Sequence, residues 1–166
     1  MPQRTHLAAL IAIFLMVDIA CTKEPPPVST TAPSDRVAAS PVGTTQMVLQ
    51  KTFNLKVSAT FPFEIPAHAA QPHLHGIFES FEGQVHGASD DSANINFLVL
   101  SEEQQTDSAS NRASEALFSV EDSHNQAVNF DLPPSLNHPA KYYLVFRNPG
   151  GSKDSKVVEA NFRVDF

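Results

Sequence analysis

The chain holds one cysteine, Cys21, and no tryptophan among its 166 residues. A lone thiol cannot close an intrachain disulfide, so any fold rests on a packed core. Charge is also scarce, at 17% of residues against the usual quarter, and it is unbalanced: 11 Lys and Arg face 18 Asp and Glu, a net charge of −7. Such a surface repels phosphate backbones, which excludes nucleic acid as a partner. The longest apolar run, Leu7 to Val17, covers only about half of a ~30 Å hydrocarbon core and so is too short to span a bilayer. Catalytic templates are missing as well. There is no Gly-x-Ser-x-Gly, no phosphate-cradling glycine loop and no His-Glu-x-x-His. No catalytic residue and no cofactor is expected. A hydrolytic enzyme, kept as a third reading, would need a cleft holding a strongly shifted titratable group.

What is present divides the chain into three. Residues 1–20, with Arg4 ahead of the apolar run, have the layout of an export signal peptide. Residues 21–45 are dominated by Pro, Ser, Thr and Ala, bury too little apolar surface to offset chain entropy, and read as a disordered, partly polyproline linker. Residues 46–166 form the domain.

The stretch Val17-Asp-Ile-Ala-Cys21 resembles the lipobox of bacterial lipoproteins, with small Ala20 ahead of the cysteine and Asp18 where that family prefers Leu. The resemblance implies lipidation of Cys21 and a membrane partner engaged through the acyl chains. Thr22 in the next place favours outer over inner membrane. The other reading is ordinary signal cleavage followed by an incidental cysteine.

From Gln46 onward the apolar period is close to two, the signature of half-buried strands. Ala59, Phe61, Phe63 and Ile65 share one face. Leu74, Gly76 and Phe78 oppose His73, His75, Ile77 and Glu79. Ile95 to Leu100 is apolar throughout, as in a central strand, and Val128, Phe130 and Leu132 alternate up to Pro133. Lys141 to Arg147 and Val158 to Phe166 flank the turn Asn148-Pro-Gly-Gly-Ser152 and read as an antiparallel hairpin. Glu102 to Leu117 lacks an apolar stripe and reads as a long polar loop with one turn of helix. Seven or so short strands without helices predict an all-β fold, a two-sheet antiparallel β-sandwich of jelly-roll type. All but one of the 12 Phe lie in this domain and supply its core.

The segments Leu74–Phe81, Asn94–Leu100, Tyr142-Tyr-Leu-Val-Phe-Arg-Asn148 and Lys156–Phe166 resemble the jelly-roll sandwich of Golgi-dynamics (emp24-type) domains and their bacterial envelope relatives. That family implies an interaction module, with an envelope protein or a glycan as partner. No coiled-coil stalk or transmembrane helix is expected after Phe166, so the cargo-receptor role is not carried over.

Histidine is the residue type that suggests chemistry. His68, His73, His75 and His86 are four of the 7. Positions i and i+2 of a strand face one side, so His73 and His75, joined by His86 across a turn, form a candidate Zn²⁺ or Cu²⁺ site. A periplasmic metal-binding protein is therefore the alternative function. The loop Ser89-Asp-Asp-Ser92, with Asn94, offers oxygens to Ca²⁺ but lacks the spacing of a calcium loop.

Overall fold

The computed structural model describes residues 42–84, 86–109 and 115–166. The lipobox, Cys21 and the linker up to residue 41 lie outside them, whereas the last linker residue, Thr45, already belongs to the first strand. Eight strands occur, in the order β1 (Thr45–Leu55), β2 (Ser58–Ile65), β3 (His73–Glu82), β4 (Ile95–Ser101), β5 (Phe118–Ser123), β6 (Asn125–Asp131), β7 (Ala140–Arg147) and β8 (Lys156–Asp165). They form two four-stranded antiparallel sheets, β1-β8-β3-β6 and β2-β7-β4-β5. This order is that of a jelly roll, so the all-β sandwich expected from the alternation is the fold.

Strand faces follow the sequence pattern. Phe63 and Ile65 of β2, Leu74 and Phe78 of β3, and Phe162 and Val164 of β8 all enter the core. β4 has four of its 7 residues buried, and the other three are half-buried. At the centre Phe97 stacks on Phe162 with ring centroids 5.1 Å apart and meets Phe146 at 5.0 Å and Phe78 at 5.5 Å. Gly76 makes this possible, because a Cβ there would lie 2.6 Å from Phe162 Cδ1 and 2.3 Å from the Asn161 carbonyl.

Two expectations are corrected. β7 and β8 are not a hairpin: β7 lies between β2 and β4, whereas β8 lies between β1 and β3 in the other sheet. The turn after Asn148 carries the chain across the sandwich, and the buried Asn148 amide ties it down by donating to the carbonyls of Lys56, Gly151 and Asp154. The segment after β4 is more helical than expected. Glu102–Ala109 forms α1, two turns long. Its start is a capping box: Ser101 Oγ accepts from Gln104 N at 3.2 Å, and Gln104 Oε1 accepts from Ser101 N at 2.8 Å. Among the described residues no helix is long and apolar enough to cross a membrane.

One irregularity sets what β1 shows to solvent. A bulge between Met47 and Leu49 inserts Val48, so the outward side chains change from Thr45 and Met47 to Gln50 and Thr52.

Candidate functional site

The outer face of the β1-β8-β3-β6 sheet can be read row by row from the strand register. The first row is Thr45, Asp165, His73 and Asp131; the second is Met47, Arg163, His75 and Asn129; the third is Gln50, Asn161, Ile77 and Ala127; the fourth is Thr52, Glu159, Glu79 and Asn125. Nearly every position carries a hydrogen-bonding side chain.

The first two rows hold the histidines singled out in the sequence. His73 and His75 are brought together, their rings stacked with centroids 6.2 Å apart. The nitrogens of His73 are already committed. His73 Nδ1 donates to Asp131 Oδ1 at 2.6 Å and its Nε2 to Asn129 Oδ1. Both partners are acceptors, which suits the doubly protonated ring. Accordingly the Asp131 hydrogen bond raises the His73 pKa above its ordinary value, against a smaller opposing effect of desolvation. His75 Nε2 lies 3.2 Å from Asp165 Oδ2, closed off from solvent and outside hydrogen-bond geometry. Asp165 also accepts from Thr45 Oγ1 at 2.6 Å, and that bond is the main reason its pKa is lowered. A lateral chain of contacts thus ties all four strands together at one end of the sheet.

The three-imidazole site is not assembled. His86 rests on Phe81 with ring centroids 5.7 Å apart, near the opposite end of β3 from His73. At ~3.3 Å rise per residue, roughly 26 Å of strand separates residue 73 from Phe81. Among the described residues no group of three or more His, Cys, Asp or Glu is placed to hold a metal ion. His68 lies apart too, its backbone N–H bonded to Leu136 O in a loop at φ 64°. The acidic loop is likewise occupied with its own backbone. Asp90 accepts from Ser92 N at 2.9 Å and caps a short 3-10 turn, Asp91–Ala93, and the Ser92 hydrogen bonds lower its pKa. Asn94 turns its side-chain oxygen to His124 Nδ1 at 3.0 Å, and its carbonyl accepts from Lys156 Nζ. No imidazole among the described residues is hydrogen-bonded to a serine hydroxyl or a thiol.

The third and fourth rows were not singled out from sequence. They line a shallow groove of about 400 Å³ that includes Gln50, Thr52, Ile77, Glu79, Glu159 and Asn161. Glu79 and Glu159 are direct cross-strand neighbours. Like charges in that position destabilise a sheet, and here no Lys or Arg of the described residues forms an ion pair with either. Ile77, 49% exposed, is the apolar part of the groove. A second, smaller groove bounded by His75, Ile77, Asn161 and Arg163 shares two of these residues, so the track continues along β3 and β8. The register that makes Glu79 face Glu159 depends on pairing between strands 80 residues apart, and no local signal encodes it.

No family model matches the chain, and no curated protein matches it. Among solved structures it is similar to TmCBM61 in complex with β-1,4-galactotriose, with a TM-score of 0.40 and 10% identity over 68% of this chain and 67% of that one.

Proposed function

We propose that this protein is a lipid-anchored component of the cell envelope, tethered through Cys21 to the outer membrane, whose β-sandwich binds a neutral glycan without catalysis. The anchor rests on the lipobox-like sequence ahead of Cys21 and on the linker composition of residues 22–45. The observation that carries the binding reading is the facing pair Glu79 and Glu159, set in a groove with Gln50, Thr52 and Asn161. Two carboxylates side by side offer acceptors that a polyhydroxylated ligand satisfies with charge-assisted O–H donors, while the amides offer both donors and acceptors. Ile77 supplies contact for the C–H face of a sugar ring. A net charge of −7 disfavours an acidic polymer, which leaves neutral glycans.

The pair trades stability for binding. Glu159→Gln removes one like-charge contact, so it should stabilise the fold by about 0.2–1 kcal/mol while weakening glycan binding. Calorimetric titration with a panel of neutral oligosaccharides, together with urea melts, measures both. Absence of heat with every member of the panel rejects the glycan reading. The tether is tested separately: Cys21→Ser should move the protein out of the membrane fraction, and its persistence there would refute the anchor.

A further inference from the structure

Each sheet ends in two strands with one unpaired edge, and three of the four are blunted. β2 carries Pro62, which has no N–H to offer, and its Glu64 carbonyl accepts from Gln46 Nε2 at 3.3 Å. β1 has the bulge at Val48 and turns Lys51 inward over the Phe61 ring at 5.6 Å. β5 is only 6 residues long, breaks register opposite Ile95 and Phe97, and holds Asp122 at φ 51°. β6 has none of these devices. It contains no proline or lysine and pairs with β3 through an unbroken register from Asp131 to Asn125.

Which β6 groups face outward follows from two flanking bonds. Ser80 N donates to His124 O, and Leu132 N donates to Pro72 O, so even-numbered residues direct their backbone toward β3. Asn125, Ala127, Asn129 and Asp131 therefore turn N–H and C=O away from the sheet. All four are exposed, and among the described residues two side-chain bonds reach this row: Ser123 Oγ donates to Asn125 O at 3.3 Å and Gln126 Nε2 to Ala127 O at 2.8 Å.

We infer that β6 pairs with β6 of a second copy of this chain, antiparallel about Val128, joining two four-stranded sheets into one. In that register Ala127 faces Asn129 of the copy and Asn125 faces Asp131 of the copy, each pair exchanging two backbone hydrogen bonds. The contact is isologous, as a two-fold dimer requires. Charge permits it where most of an acidic surface does not. Asp131 is the only charged residue of β6, and it meets the neutral Asn125 amide and not its own counterpart. The pairing also sets the glycan-facing surfaces of both copies side by side, although it does not depend on the glycan reading.

Sedimentation equilibrium of the full chain in density-matched detergent tests this. The wild type should be a reversible dimer. Ala127→Pro removes an N–H that no bond among the described residues uses and should give a folded monomer, with circular dichroism unchanged. A charge pair of variants gives a readout that misfolding cannot imitate. Asn125→Asp sets two carboxylate pairs across the interface and should raise the dimer dissociation constant by about 2- to 30-fold, an effect reduced by salt, whereas Asn125→Lys should lower it. A wild type that stays monomeric, a dimer indifferent to Ala127→Pro, or equal effects of the two Asn125 variants would each overturn the inference.

Discussion

His73 shows how one side chain joins pattern, packing and pH. The alternation in β3 placed it on the outer face beside His75, and that much was legible because a strand's period is fixed. Its partners were not, since Asp131 and Asn129 come from β6, across a register the sequence does not state. The consequence concerns stability. The folded-state pKa is raised, first by the hydrogen bond to Asp131, so the interaction contributes fully below the unfolded value of about 6.5 and is lost as pH rises through the raised folded value. Urea midpoints should therefore fall between pH 6 and pH 8.5, and Asp131→Asn should flatten that slope. A slope unchanged by the substitution would move the pH dependence to another group. Gly76 gives a second case. It shares a strand face with Leu74 and Phe78, and the missing side chain is the space that Phe162 fills. Gly76→Ala forces either that ring or the Asn161 backbone to move, at a cost of about 1–3 kcal/mol.

At the scale of elements, the sequence disclosed faces better than partners. The apolar sets of β2, β3, β6 and β8 enter or pack against the core as their alternation indicates, and of the continuous apolar run in β4 it is Ile95, Phe97 and Val99 that do so. The expected pairing of β7 with β8 failed because the Asn148-Pro-Gly-Gly turn marks a reversal of the chain without stating which sheet the next strand joins. Its length and the Asn148 anchor serve a crossing between layers. The helix α1 was expected as a single turn, and its length was underestimated for a different reason. It has almost no apolar stripe, so periodicity is silent, and the signal lies in four residues, Ser101-Glu-Glu-Gln104, which spell a capping box. α1 packs against β4 and β7, where Leu100 and Val145 are buried on the outer side of their sheet, away from the main cluster. Ser101→Ala should destabilise the protein by about 1 kcal/mol and raise hydrogen exchange in residues 102–109 before the strands respond. Uniform loss of protection across the domain would place Ser101 in the cooperative core instead.

For the whole molecule, connectivity decides behaviour. Every link between consecutive strands except β4 to β5 passes from one sheet to the other, so β1 finds its partner in β8 at the far end of the domain sequence. Most contacts are consequently long-range, and little native structure gains support until both sheets meet at the Phe97, Phe146 and Phe162 cluster. Loop closure of that kind must be offset late in folding, which places the domain with the slow all-β folders, relaxing in roughly milliseconds to seconds. It also makes the sandwich a single cooperative unit. Tyr142, buried between the sheets, and the backbone dichroism should therefore lose their native signals at the same urea concentration. Phe97→Ala should cost about 3–5 kcal/mol, enough to unfold a domain of ordinary stability or bring it close to its midpoint. If tyrosine emission and dichroism instead separate into two transitions, the layers fold independently, and the account of a core shared by both sheets fails.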